Sequence, residues 1–168
     1  MNLDITTRKI AQNGIVAACY FVVTIATSSF SYGQIQFRIA EMLILLCFWR
    51  PDFILGVTLG CLLANINSTL GPWDILIGTM ATFVSSLLVA YASPRLLIGA
   101  LYPILINAFA VGWELNWLLG LDFWVSVLYV GIGEAAVIII SYILWLSLSK
   151  NKGFMSFLSP KRHLDVKW

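Results

Sequence analysis

Residues 32–41 read Tyr32-Gly33-Gln34-Ile35-Gln36-Phe37-Arg38-Ile39-Ala40-Glu41. Two amides, a guanidinium and a carboxylate stand there between long apolar runs, in a chain with only 11% charged residues. Stripping water from such groups is costly, so an ionisable side chain in or beside a membrane segment is a functional candidate by default. The bland alternative is that Arg38 and Glu41, three apart on a helix, neutralise each other. That pairing would not exclude a ligand nearby.

Working outward, the composition sets the class. Hydrophobic residues make up 60% of the 168 positions and aromatics 14%, and the mean hydropathy is +0.90. Soluble domains are roughly half apolar, so this is an integral membrane protein, expected as one all-helical transmembrane domain over residues 1–168. At roughly 20 residues per crossing, the length accommodates six spans with short connections.

The spans are expected at Ile10–Ser29, Gln36–Trp49, Phe53–Leu70, Asp74–Ala92, Leu96–Leu118 and Phe123–Leu148. Arg50-Pro51-Asp52, Gly71-Pro72 and Ser93-Pro94-Arg95 separate them, because proline and glycine punctuate helices. The second span is short and starts with its polar residues, as if tilted or sunk in protein. Arg8-Lys9 ahead of an apolar run, with Ala26, Ser28 and Ser29 after it, imitates a secretory signal; the uncharged run from Ile10 to Phe37 is instead long enough to span. A polar tail from Ser149 to Trp168 reads as a solvated end, not a nucleic-acid site.

Six alternating crossings bring every Lys and Arg except Arg38 to one side: Arg8, Lys9, Arg50, Arg95, and the tail. The positive-inside rule then makes both termini cytoplasmic and leaves Asp74 and Asp122 in outer loops. The expected location is the cell membrane, with multiple passes.

Several chemistries are excluded. Cys19, Cys47 and Cys61 lack metal or redox spacing and read as small buried hydrophobes. The single histidine, His163, lies in the tail, so no buried nucleophile relay can form and an enzyme is not expected. No phosphate-binding glycine loop occurs, so ATP coupling would have to come from another subunit. No metal or cofactor is implied.

Arg38, Glu41, Asn65, Asn107, Glu114 and Glu134 are the polar groups to expect inside the bundle, mostly in its outer half above an apolar floor. That layout suits capture of a solute better than a continuous channel. Asn107 and Glu114, seven apart, share a helix face, whereas Asn65 and Asn67 cannot both point inward in a regular helix, which leaves one of them or an unwound helix end to contribute. Phe37, Tyr32, Trp113, Trp117 and Trp124 could stack on a flat ring, although Trp and Tyr favour the headgroup region anyway. Carboxylates and amides together fit a planar heterocycle with donors along one edge; residue types alone leave a purine, thiamine and an amino acid open.

Tyr32 to Arg38 with Glu41, Leu59-Gly60-Cys61-Leu62-Leu63-Ala64-Asn65, the Gly71–Asp74 turn, Asn107 with Val111-Gly112 and Glu114, and Gly133-Glu134 together resemble the QueT family, across nearly all six spans. Members are substrate-binding S components of energy-coupling factor (ECF) transporters, assigned to queuosine precursors. The resemblance implies a transmembrane coupling subunit and two ATPase subunits as partners, and toppling in the membrane to release ligand inward. It implies a 7-deazaguanine ligand, the aminomethyl form favoured, with Gln34, Gln36, Phe37, Arg38, Glu41, Asn65, Asn107, Glu114, Trp117 and Glu134 as substrate-binding candidates. The first helix of S components docks through an Ala-x-x-x-Ala face. Here Gly14 and Ala18 correspond, with Ala11 on the same stripe. The rival reading is a stand-alone carrier using Glu114 or Glu134 as a proton site.

Overall fold

A computed structural model describes residues 3–28, 37–68 and 70–161. Tyr32, Gln34, Gln36, Arg162, His163 and Lys167 lie outside the described residues. The described chain is all-helical: α1 (Leu3–Ala26), a 3-10 helix numbered α2 (Ile39–Phe48), α3 (Phe53–Asn65), α4 (Pro72–Tyr91), α5 (Leu96–Leu119), α6 (Phe123–Ser149) and a short α7 (Lys152–Leu158).

Local chemistry explains the boundaries. Gly71 takes a positive φ of 69° immediately before Pro72, which opens α4 at a position where its missing N–H costs nothing. Gly120 closes α5 in the left-handed conformation. Asp122 caps α6 by accepting from the Val125 N–H at 2.9 Å. The connections on either side of α5 are short, so α4, α5 and α6 pack as sequential neighbours.

Among the described residues, four helices are long and apolar enough to cross a membrane: α1, through Thr7–Ala26, then α4, α5 and α6. The segments expected as the second and third spans are shorter, with 10 residues in α2 and 13 in α3. At about 2.0 Å rise per residue for a 3-10 helix and about 1.5 Å for an α-helix, each reaches roughly 20 Å, against a hydrocarbon core of roughly 30 Å. The third ends at Asn65 instead of Leu70 because the chain turns there, Asn67 and Ser68 N–H donating to Ala64 and Asn65 carbonyls.

Short as it is, α2 is the axle of the bundle. It packs against α1, α3, α4, α5 and α6, and Ala40, Glu41, Ile44, Leu45, Leu46, Cys47 and Phe48 are buried. Ten residues is long for 3-10 geometry. Its Met42 carbonyl accepts from Ser141 Oγ at 2.9 Å and Trp145 Nε1 at 2.7 Å, tying α2 to α6. Outward-facing Leu55, Leu76, Ile140 and Ile143 cover the other faces with apolar surface, as a lipid environment requires.

Small residues let α1 and α3 touch. A Cβ on Gly60 would stand 2.6 Å from Tyr20 Cβ and 2.8 Å from the Ala17 carbonyl oxygen, so the Gly56/Gly60 face is a packing face. Cys47 and Cys61 are buried as expected, but Cys19 is exposed, because α1 turns only its Ala17/Tyr20/Thr24 edge inward.

The tail departs from a solvated end. Asn151 caps α7 by accepting from the Gly153 and Phe154 N–H groups, and Leu158 is buried. Arg50 donates to the Leu158 carbonyl at 2.6 Å, to Gln12 Oε1 at 2.9 Å and to Asp52 at 2.8 and 2.7 Å. Lys161 meets Asp52 at 2.8 Å, and its backbone N–H donates to the Trp49 carbonyl at 2.9 Å. Burial pushes the Asp52 carboxyl upward, but the hydrogen bonds and charges of Arg50 and Lys161 overrule it and hold the group well below the usual aspartate range.

Candidate functional site

Arg38 ends the stretch before α2, and its side chain reaches α4, not one turn along its own helix. Its guanidinium donates to both oxygens of Asp74, at 2.8 and 2.9 Å. Mutual neutralisation of Arg38 and Glu41 is thereby corrected: one terminal guanidinium nitrogen of Arg38 spans both Asp74 oxygens, while Glu41 has other partners. Asp74, expected in an outer loop, is fully buried. Its backbone carbonyl accepts from Asn65 Nδ2 at 2.9 Å, so the end of α3 holds the start of α4, which in turn holds the arginine. Gly78 makes room for the clasp. A Cβ there would stand 2.5 Å from Asp74 Oδ1, 2.9 Å from Asn65 Nδ2 and 3.1 Å from an Arg38 nitrogen.

One turn further in, Glu41 is also fully buried. Its Oε1 accepts from the Tyr20 hydroxyl and from Thr82 Oγ1, the latter at 3.0 Å. Asn107 Nδ2 is 3.4 Å from Glu41 Oε2 and 3.2 Å from Glu134 Oε1. A primary amide carries two N–H donors, so one asparagine on α5 serves carboxylates on α2 and α6. Five elements thus contribute to one polar array: Tyr20 from α1, Glu41 from α2, Thr82 from α4, Asn107 from α5 and Glu134 from α6.

Glu114, two turns along α5 from Asn107, is fully buried. Neither of its oxygens has a hydrogen-bond partner among the described residues, nor does Arg38 Nε. Glu114 lies within electrostatic reach of Asp74 and Arg38. Arg38 is thus one buried cation beside four buried carboxyls: Asp74, Glu41, Glu114 and Glu134. Buried charge without a partner is expensive, so this site has an acceptor surplus that a donor-rich or cationic molecule would relieve.

The sequence-derived candidates divide accordingly. Arg38, Asn65, Glu41, Asn107 and Glu134 enter the two hydrogen-bonded clusters, while Glu114 stands beside them unbonded. Asn65 is buried at the end of α3, and Asn67, in the turn beyond it, is exposed. Phe37 is half-buried. Trp117 is half-exposed, stacked on Trp113 with ring centroids 5.4 Å apart and edge-on to Trp73 at 4.6 Å. Gln34 and Gln36 lie outside the described residues. Ala11, Gly14 and Ala18 are exposed along α1, and a groove of about 380 Å³ runs between Gly14, Asn13, Leu55, Gly56 and Leu59. Asp74, Tyr20 and Thr82 were missed. An aspartate in a first helical turn reads as a dipole partner, and hydroxyls inside apolar runs carry no periodic signal.

Comparison with known proteins gives the family. The family model described as QueT transporter matches residues 10–150. A curated relative, the queuosine precursor transporter QueT of Lactococcus lactis subsp. cremoris (strain MG1363), is 40% identical over 81 residues, 46% of this chain and 47% of that protein. The match therefore spans about half the length of the relative. No solved structure matches this chain significantly. With most of its length matched by the family model, and four apolar helices able to cross a bilayer, this multi-pass membrane protein belongs to the QueT transporter family.

Proposed function

We propose that this chain is the substrate-binding subunit of an ATP-driven importer of the ECF type, capturing a queuosine precursor of the 7-deazaguanine class and passing it to the cytoplasm. The observation that carries the reading is the surplus of buried carboxyls around Asn107 and Arg38. A guanine-like edge offers a ring N–H beside an exocyclic amine, a pair that one carboxylate accepts in bidentate fashion. Glu114, with both oxygens unbonded among the described residues, is our choice for that edge. The Glu41–Asn107–Glu134 array is our choice for the ammonium of an aminomethyl substituent. Gln34, Gln36, Phe37, Arg38, Asn65 and Trp117 complete the proposed binding set. The relative's printed name, a queuosine precursor transporter, supports the ligand class.

The same reading takes residues 1–168 as one domain with six crossings and both termini cytoplasmic, supported by the one-sided distribution of Lys and Arg. Buried α2 is then a short crossing enclosed by protein, where the length rule for lipid-exposed helices is relaxed. The partners are a transmembrane coupling subunit, docking on the exposed Ala11, Gly14 and Ala18 stripe, and two ATPases.

Mass spectrometry of what co-purifies with the protein, followed by calorimetric titration with 7-aminomethyl-7-deazaguanine, tests the ligand. Uptake by vesicles tests the coupling: ATP-dependent accumulation is expected only with the coupling and ATPase subunits present. Accumulation driven by a proton gradient in vesicles holding this protein alone would replace the importer reading with that of a stand-alone carrier.

A further inference from the structure

The end of the bundle where Arg50 lies carries two adjoining cavities. One, of about 160 Å³, is lined by Arg8, Lys9, Gln12, Arg50, Ser159 and Lys161. The other, of about 240 Å³, is largely apolar, with Ile15, Val16, Phe53, Trp145 and Phe157 in its wall. Gln12 and Arg50 line both, so the two form one amphipathic cleft, basic at its mouth and greasy along its length. Ile15 and Phe157 are strongly exposed, so the apolar part opens at the side of the bundle.

The cations at the mouth are not equally available. Arg50 spends its guanidinium on Asp52, Leu158 and Gln12, and Lys161 shares Asp52. Asp52 meets both Arg50 and Lys161, whose two positive charges more than balance it. Arg8 and Lys9 are exposed, and no ion pair to either occurs among the described residues. The mouth therefore carries net positive charge directly beside an apolar slot. Basic pockets between membrane helices are matched by anionic lipid headgroups.

We propose that this cleft holds one anionic phospholipid, its phosphate among Arg8, Lys9 and Lys161 and one acyl chain along Ile15, Val16, Phe53 and Trp145. The lipid would brace α7 against α1 and α6 where Leu158 and Phe154 already pack. The site lies at the opposite end of α2 from Arg38, and it stands whether or not the transport reading does.

The full-length protein in neutral detergent, titrated with dioleoyl phosphatidylglycerol, should show a rise of several degrees in its unfolding midpoint. Dioleoyl phosphatidylcholine and inorganic phosphate should each produce little. Replacing Arg8→Gln and Lys9→Gln together should raise the half-saturating lipid concentration roughly tenfold to thirtyfold, the scale for removing two cations near an anionic headgroup. The charge-matched pair Arg95→Gln and Lys152→Gln should leave it unchanged. Native mass spectrometry of the same samples, counting one retained phosphatidylglycerol per chain, gives a readout independent of folding stability. A full response to inorganic phosphate would identify a free anion as the ligand and overturn the lipid proposal. An equal loss in the charge-matched pair would reduce the effect to general surface charge and overturn it too. Absence of any bound lipid would leave the cleft to a protein partner, with the same consequence.

Discussion

Arg38 and Asp74, 36 positions apart, are joined by two buried hydrogen bonds of 2.8 and 2.9 Å. Removing one member of a buried pair leaves the other charge uncompensated, at a cost of about 3 to 5 kcal/mol. Asp74→Asn should therefore lower the unfolding midpoint of the purified protein sharply. The double replacement Arg38→Met with Asp74→Leu should recover much of the loss, because well-packed apolar residues often substitute for a buried pair at little net cost. Equal instability of single and double variants would show that the pair does more than cancel its own charges.

Gly78 is where that clasp is most sensitive to added volume. An alanine methyl would meet Asp74 Oδ1 at 2.5 Å and Asn65 Nδ2 at 2.9 Å, so Gly78→Ala should destabilise by about 1 to 3 kcal/mol, the usual range for overpacking. Gly14, where an added methyl would meet nothing within 4 Å, supplies the control: Gly14→Ala should be neutral or slightly stabilising, since alanine is the better helix former. Thermal unfolding of both variants side by side decides the matter.

These two positions mark what the sequence could convey. Helices α4, α5 and α6 begin and end within two residues of expectation, because long apolar runs bounded by Pro, Gly and Asp leave few alternatives. Glu41, Asn107 and Glu134 were legible as costly polar residues in apolar surroundings, and they do converge. That Arg38 would choose Asp74 over Glu41 was not legible, since a local spacing of three is visible in sequence and a tertiary approach is not. The 3-10 geometry of α2 left no period of its own in ten almost wholly apolar residues. In the tail, abundant lysines masked the Leu158 anchor that folds α7 back onto the bundle.

On the proposed docking stripe, Gly14→Leu introduces a branched side chain on an exposed face with open space around it. Folding and calorimetric ligand binding should be unchanged, because no polar cluster residue lies on that side of α1. Close approach of another membrane helix depends on small residues, so co-purification with the coupling subunit should fail. Recovery of an intact complex would move the docking surface elsewhere.

Asp52 gives the fold an acid-sensitive latch. Its folded carboxyl is held below the ordinary aspartate value by Arg50 and Lys161 despite the upward push of burial. The resulting stabilisation is complete above the unfolded value, about pH 4, and is lost as pH falls through the folded one. The unfolding midpoint of the natural protein should thus exceed that of Asp52→Asn at neutral pH, and the gap should narrow steadily below about pH 4. A gap that stays constant across that window would remove Asp52 ionisation as its source.

Glu114 makes the sharpest test of the binding site, because it has no hydrogen-bond partner to lose among the described residues. Both its oxygens are buried and unbonded there, so Glu114→Gln keeps shape and should leave unfolding behaviour unchanged or improved. An amide offers one acceptor oxygen and two donors where the carboxylate offered two acceptors, which spoils a bidentate grip on paired N–H groups. Affinity for 7-aminomethyl-7-deazaguanine should fall by about 1 to 3 kcal/mol, the scale for a charge-assisted hydrogen bond in a buried setting. The companion change Asn107→Leu removes the amide between Glu41 and Glu134, and should lower stability as well as binding, since both carboxylates then lose a donor. Unchanged affinity in Glu114→Gln, measured by calorimetry on protein of normal stability, would take Glu114 out of the ligand's reach and leave the guanine edge to another acceptor.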